Sequence, residues 1–160
     1  MRLRVLGLAG SPRRQGNTEL LLDQILGGAA SKGAITEKVV LCSMRIQPCD
    51  ECESCYDTGR CIVQDDYQLL YPKLMKAERI VLASPIFFLG LSAQAKAFID
   101  RCQCFWARKY VLEEPLPVTD SGVQRRGFLV STAGGPETSF QCAARSFKAF
   151  LDTLDAEYGG

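Results

Sequence analysis

The sequence contains no histidine among its 160 residues. Acid–base catalysis by an imidazole and metal binding by histidine are therefore excluded for this chain. The sequence also lacks long blocks of like charge, and 19 Lys and Arg residues balance 18 Asp and Glu residues. A formal net charge of +1 without a basic run gives no reason to expect nucleic acid as a partner.

Long apolar runs are missing as well. The longest, residues 80–93 (IVLASPIFFLGLSA), contains Ser84, Pro85 and Gly90 and falls short of the ~18 residues that a membrane span needs. The first residues offer too few apolar positions for the core of a signal peptide, which takes about 7 to 15 residues. We therefore expect no membrane partner. Eight cysteines in a chain without an export signal indicate a reducing, cytoplasmic location.

Apolar runs typical of buried strands alternate with helical patterns along the chain. We predict strands at residues 3–9, 36–42, 79–84 and 127–132, and helices from Thr18 onward and at residues 66–77, 92–105 and 138–154. This alternation predicts an α/β fold in which helices surround a parallel sheet. We expect one domain over residues 1–160.

Three local features complicate this pattern. Pro72 is expected to kink or restart the helix in which it lies. Residues 106–126 show neither period and are long for an internal connection, which predicts a lid, an assembly surface or a mobile loop. Residues 156–160 (AEYGG) barely begin a fifth strand, so we expect the chain to stop short of the last helix of the fold.

The loop at residues 10–18 (GSPRRQGNT) lies between the first strand and the first helix. Unpaired amides and the positive end of the helix dipole make such a loop an anion site. Its glycines permit close approach of a ligand, and Asn17 or Thr18 is expected to cap the helix. The spacing matches neither a Walker loop nor a dinucleotide fingerprint. An ordinary turn with two solvated arginines is the alternative.

Four of the eight cysteines have the spacing C-x2-C-x2-C-x5-C, and these are Cys49, Cys52, Cys55 and Cys61. The first two intervals match the ferredoxin-type run that surrounds one iron-sulfur cube. Zinc on four thiolates is the alternative metal, although zinc sites more often pair two separated C-x-x-C units. A loop with free thiols or a disulfide and no metal is the third reading. We favour a [4Fe-4S] cluster.

The other four cysteines are interpreted as small buried residues: Cys42, Cys102, Cys104 and Cys142. Cys102 and Cys104 are expected to project to different sides of a helix. Asp100 and Arg101 are interpreted as an ion pair or an assembly contact.

The order of the motifs resembles the NAD(P)H-dependent FMN reductase family. The motifs are GSPRRQGNT, SPIFF at residues 84–88, SAQAKAFIDR at residues 92–101 and the pair Gly134 and Gly135. The cysteine loop, residues 48–61 after the second strand, narrows the resemblance to the iron-sulfur flavoproteins. The resemblance implies a flavodoxin-like three-layer α/β/α sandwich with a doubly wound parallel sheet.

The resemblance also implies which residues bind the flavin. The FMN phosphate would be held by Ser11, Arg13, Gly16, Asn17 and Thr18. The isoalloxazine would be lined by Pro85, Ile86, Phe87, Phe88 and Leu89, with Thr132, Ala133, Gly134 and Gly135 at its polar edge. No side chain is expected to be catalytic, because the flavin N5 accepts the hydride.

The expected function is therefore an FMN oxidoreductase. It would take electrons from NAD(P)H and pass them to a small oxidant or a ferredoxin-type carrier. A non-enzymatic protein that only exchanges electrons with ferredoxin-type partners is the alternative. We expect a homodimer or homotetramer, because Trp106, Tyr110 and Val111 suit a partner surface better than water and because the resemblance implies flavin sites at subunit contacts.

Overall fold

A single five-stranded sheet, described in a computed structural model over residues 2–160, organises the chain. Its strands are β1 (Arg4–Ala9), β2 (Ile35–Val40), β3 (Arg79–Pro85), β4 (Arg125–Thr132) and β5 (Ala156–Tyr158). The spatial order is β2-β1-β3-β4-β5 and every pairing is parallel. The strand order reverses between β1 and β3, as in the flavodoxin-like folds.

Helices cover both faces of this sheet. They are α1 (Asn17–Ser31), α2 (Cys55–Thr58), α3 (Tyr67–Lys76), α4 (Ala93–Arg101), α5 (Gln103–Tyr110) and α6 (Gln141–Thr153). On one face, Leu22 and Leu26 of α1 pack against β1 and β3. On the other face, α3 to α6 bury a larger core that includes Phe98 and Phe147. The predicted three-layer fold is confirmed. No helix within residues 2–160 has both the length and the apolar character needed to cross a bilayer.

Several predicted boundaries shift. The second strand ends at Val40, before a short 3-10 turn at Leu41–Ser43, and the fourth begins at Arg125. The α3 helix continues through Pro72, so the predicted restart is wrong. The segment predicted to be irregular begins with the end of α5, and only residues 111–124 lack helix or strand. The fifth strand does form, over three residues.

The helix predicted for residues 92–105 is two helices that meet at Cys102. The Phe105 amide donates to the Cys102 carbonyl at 2.8 Å, a tight turn that separates α4 from α5. Cys102 and Cys104 therefore both reach the Tyr67 hydroxyl, at 3.5 and 3.3 Å, and the prediction that they face different sides is wrong. Both are buried as predicted, whereas Cys42 is only half-buried and Cys142 is exposed.

Candidate functional site

The loops that follow β1 and β3 are joined by Ser92, the N-cap of α4. Its hydroxyl donates to the Gly10 carbonyl and accepts from the Ala95 amide, and its own amide donates to Ser84 Oγ at 3.0 Å. A side chain at Gly10 would lie 2.9 Å from Ala95 Cβ, too close to be accommodated. These bonds therefore join the two loops at the carboxyl edge of the sheet. The sequence analysis had not assigned roles to Ser84 or Ser92.

The predicted anion loop ends in an open helix terminus. Gly16 is the N-cap of α1, so the prediction that Asn17 or Thr18 caps this helix is wrong, and these two residues form its first turn instead. No side chain within residues 2–160 caps that turn, and the first amides of an α-helix have no partner within the helix. Those amides are thus available to an anionic ligand.

The loop has little room for larger residues in its turn. A Cβ atom on Gly16 would lie 3.3 Å from the Arg13 carbonyl oxygen. The Ser11 hydroxyl accepts from the Arg13 amide at 3.1 Å, which folds the loop back on itself. The five residues predicted to hold the FMN phosphate therefore lie in one compact turn.

The two arginines of this loop have different surroundings. The Arg14 guanidinium lies 3.4 Å from a Glu19 carboxylate oxygen and donates to Ser43 Oγ at 3.3 Å. Arg13 is exposed, and its guanidinium forms no ion pair within residues 2–160. Arg13 is therefore the arginine placed to pair with a phosphate.

Glu19 is a buried carboxylate that the sequence analysis missed. Its side chain is 3% exposed, accepts from the Gln15 amide at 2.7 Å, and lies 3.2 Å from Lys38 Nζ. Burial alone would raise the pKa of Glu19, but the bonds from the Gln15 amide, Lys38 and Arg14 outweigh it and lower the pKa. Glu19 is the third residue of α1, where a glutamate often reaches back to unpaired amides, so a sequence signal was present.

We expect Glu19→Gln to lower the free energy of unfolding at pH 7 by about 2 kcal/mol, because a neutral amide leaves Lys38 and the Gln15 amide poorly satisfied. In the folded protein the pKa of Glu19 lies below its ordinary value of 4.5. The stabilisation is therefore fully present above about pH 4.5 and is lost as the pH falls through the folded pKa. Urea unfolding of both proteins at several pH values measures this.

Glu157→Gln is the matched control, since Glu157 forms an exposed ion pair with Arg126. We expect it to change stability little. Equal losses in the two variants at pH 7 would contradict the role given to Glu19.

The segment predicted to line the isoalloxazine forms a tight hairpin turn. Phe87 and Gly90 exchange two backbone hydrogen bonds of 3.0 and 2.9 Å. The residues between them, Phe88 and Leu89, have φ of +48° and +65°, and each left-handed residue costs about 1–2 kcal/mol. Phe88 is fully exposed, at 106%. The turn thus keeps apolar side chains exposed to solvent and two residues in the left-handed region. Both features are energetically unfavourable.

The loop after β4 lies beside this turn. The Ile86 amide donates to the Thr132 carbonyl at 3.0 Å, and Pro85 pairs with Thr132 in the sheet. Gly134 and Gly135 are exposed at the same edge, and Gly134 has open space where a side chain would be. The three segments predicted to bind FMN are therefore brought together by the fold.

A buried oxygen at this edge is unsatisfied. Ser131 Oγ has no hydrogen-bond partner among residues 2–160, although buried hydroxyls in proteins are nearly always bonded. It lies one residue before Thr132, at the end of β4. The Ser131 hydroxyl and the uncapped first turn of α1 are thus unpaired polar groups near this edge, which fits a polar ligand such as FMN.

The four clustered cysteines line one cavity of about 420 Å³. Residues of α4, α5 and α6 complete its wall, among them Gln103, Trp106 and Phe150. Burial, and then the charges of the other three thiols, raise the pKa of Cys55. Cys49, Cys52 and Cys61 thus lie near enough to Cys55 for their negative charges to act on it, an effect that a bound cation would relieve.

The described cysteines and carboxylates do not form the site of a single metal ion. Within residues 2–160 no three Cys, Asp or Glu side chains converge as they would around one metal ion. In a [4Fe-4S] cube each thiolate binds a different iron, so the sulfurs surround a larger object. Cys104 also lines the cavity, and burial raises its pKa to about 11.

The sequence of the chain matches the model of the NADPH-dependent FMN reductases over residues 3–158. The chain belongs to this family. The resemblance predicted from its motifs is thereby confirmed.

The chain is similar to several curated iron-sulfur flavoproteins. It is 39% identical over 99 residues to an iron-sulfur flavoprotein of Methanocaldococcus jannaschii, which is 62% of this chain and 51% of the relative. It is 30% identical over 111 residues to one of Methanosarcina thermophila, which is 69% of this chain and 58% of the relative. The chain spans about half the length of the curated relatives it matches first.

A solved structure agrees on the fold of this FMN reductase family member. The NAD(P)H:quinone oxidoreductase from Methanothermobacter marburgensis superposes with a TM-score of 0.71 at 17% identity, covering 99% of this chain and 84% of that chain. At this identity the likeness supports the flavodoxin-like fold alone.

Proposed function

We propose that this chain uses bound FMN to pass electrons from NAD(P)H to a small oxidant or to a ferredoxin-type carrier. The observation that supports this is the meeting of three loops at the carboxyl edge of the sheet, where ligands of doubly wound folds bind. The bond from the Ile86 amide to Thr132 and the bonds of Ser92 hold these loops together. FMN, when bound, accepts a hydride and releases electrons singly or in pairs.

The residues of the chain would position this group. The open first turn of α1, the Ser11 hydroxyl and the Arg13 guanidinium would hold the phosphate. The exposed turn at residues 87–89 offers an apolar surface for the ring system. Gly134 and Gly135 leave backbone amides uncovered for the carbonyl oxygens of the flavin.

The chain itself would provide no general acid or base. It has no histidine, and the carboxylate nearest to the anion loop, Glu19, is already bonded to Gln15, Lys38 and Arg14. This supports a role in binding, orientation and exclusion of water, with the chemistry left to the cofactor.

We also propose that Cys49, Cys52, Cys55 and Cys61 hold a [4Fe-4S] cluster. Their shared cavity supports this, as does the effect of the other three cysteines' charges on Cys55. The cluster would add a one-electron centre that suits a ferredoxin-type partner. The homodimer or homotetramer stays a prediction, and the exposure of Phe88, Tyr110 and Val111 favours it.

Mixing the anaerobic FMN-bound protein with excess NADH or NADPH is expected to bleach the visible flavin absorption completely, because a nicotinamide acts as hydride donor to a flavin. Stopped-flow absorbance measures the rate. A parallel sample receives a reduced ferredoxin as a one-electron donor. Bleaching by ferredoxin alone would overturn the proposed NAD(P)H activity and would favour the non-enzymatic electron-transfer protein.

A further inference from the structure

Arg101 is a buried arginine that the proposed function has not used. It lies at the end of α4 and is 1% exposed. From the sequence, Asp100 and Arg101 were interpreted as an ion pair or an assembly contact. The ion pair is wrong, because Asp100 pairs with Lys96 four residues earlier. Arg101 instead forms a buried ion pair with Asp65, with Nη1 at 2.6 Å from the carboxylate.

All five N–H groups of this guanidinium have an acceptor. The two Nη atoms donate to both oxygens of Asp65 and to the carbonyls of Gln47 and Val63. The remaining donor, Nε, points at the Cys61 sulfur at 3.2 Å. Burying an arginine costs desolvation energy, which these bonds offset, and one of its five donors is directed at a thiol.

The carbonyl acceptors of Arg101 lie at the two ends of the cysteine loop. Gln47 precedes the cysteine loop and Val63 follows it, so the guanidinium joins both ends of the loop. Gln68 adds to this by donating to the carbonyls of Cys61 and Val63 at 2.9 and 2.8 Å. The Cys61 sulfur is therefore held at a set distance from a positive charge.

The charge around Cys61 is arranged as a dipole. The positive guanidinium directs Nε at the sulfur and both Nη atoms at its counter-charge, Asp65. Asp65 also accepts from the amides of Gln47 and Tyr67. The ring of Tyr67 faces the guanidinium at 4.8 Å. Because the side chains of Arg101 and Asp65 are 0% and 6% exposed, solvent screens this pair of charges little.

We propose that Arg101 raises the reduction potential of the cluster by donating its Nε–H to the Cys61 sulfur, and that Asp65 limits this effect. The proposal rests on the [4Fe-4S] cluster of the proposed function. Reduction adds one electron to the cluster and therefore one negative charge on its sulfurs. Hydrogen bonds to the sulfurs and nearby positive charge favour that added charge, so they raise the potential.

The two partners should shift the potential in opposite directions. Arg101→Gln removes the cation and should make cluster reduction about tenfold less favourable, a shift of 59 mV to lower potential for one electron. Asp65→Asn removes the counter-charge, leaves the guanidinium beside the sulfur, and should shift the potential upward. If Arg101 and Asp65 only held the loop in place, both variants would loosen it. The two shifts in reduction potential would then not have opposite signs.

The experiment is an anaerobic spectroelectrochemical titration of the purified protein with dithionite and mediators, with iron and sulfide analysis of each sample. Arg125→Gln is the matched control, because Arg125 is a buried arginine at the start of β4 that donates to the carbonyls of Met75 and Pro117. It should leave the cluster potential unchanged.

The outcomes of this titration distinguish the cluster proposal from the inference about Arg101. A wild-type protein without iron and sulfide overturns the cluster and this inference together. A wild-type protein with a cluster whose potential is the same in Arg101→Gln overturns the inference alone. If Arg101→Gln fails to retain the cluster, Asp65→Asn decides, since a lowered or unchanged potential in that variant contradicts the proposal.

Discussion

Cys52→Ser is expected to abolish the broad iron-sulfur absorption of anaerobically purified protein while the FMN bands stay. Wild-type protein should contain about four iron atoms per chain, the count of one cube on four thiolates. Cys52 is exposed in the cysteine loop, so its replacement should cost little folding energy. The effect should be large because a soft thiolate ligand is lost and a hydroxyl binds such iron poorly.

The matched control is Cys142→Ser. Cys142 is also exposed but lies in α6, and it is not among the residues that line the cysteine cavity. Its replacement should keep the full iron content and the full absorption. Iron loss in both variants would point to general instability, and a wild-type protein that carries zinc or no metal would contradict the cluster while the flavin proposal stands.

The order of the layers was predictable because it depends on local patterns. Buried parallel strands appear as continuous apolar runs, such as residues 79–84, and each is followed by a helical period. Parallel strands then require crossovers, which place all carboxyl ends at one edge. The glycines and hydroxyls of residues 10–18 follow a strand at that edge, so their position predicted a ligand loop.

The contacts that complete the site were not predictable in this way. Asp65 and Arg101 are separated by 36 positions and meet only because α4 packs beside the start of α3. Ser92 reaches Gly10 across 82 positions. Hydrophobic periodicity carries no signal for such pairings, which arise from tertiary packing. The break at Cys102 was missed for the same reason, since no proline or glycine marks it.

The ion-pair prediction was wrong because it relied on two opposite charges that are adjacent in the sequence. Asp100 and Arg101 are adjacent, but consecutive residues on a helix point in different directions. Asp100 therefore meets Lys96 on the same exposed face, while Arg101 turns into the core. The correct partner for a buried arginine had to be a carboxylate that is buried with it.

Replacing Asn17 and Thr18 together is expected to weaken FMN binding by about 3 kcal/mol, which is more than a hundredfold in Kd. Both residues lie in the first turn of α1, whose amides point toward the proposed phosphate. Asn17→Ala with Thr18→Val keeps the shape of Thr18, which is 2% exposed, and removes only the polar groups. The loss should thus report hydrogen bonds to the phosphate rather than packing.

Quenching of FMN fluorescence on titration into apoprotein measures the Kd. The control pair is Gln24→Ala with Ser31→Ala, two exposed positions further along the same helix, which should leave the Kd unchanged. Circular dichroism of all variants tests whether α1 is kept. Because the backbone amides of the turn survive in the double variant, some affinity should persist. An unchanged Kd would mean that the phosphate binds elsewhere, and the assignment of residues 10–18 as the phosphate loop would be wrong.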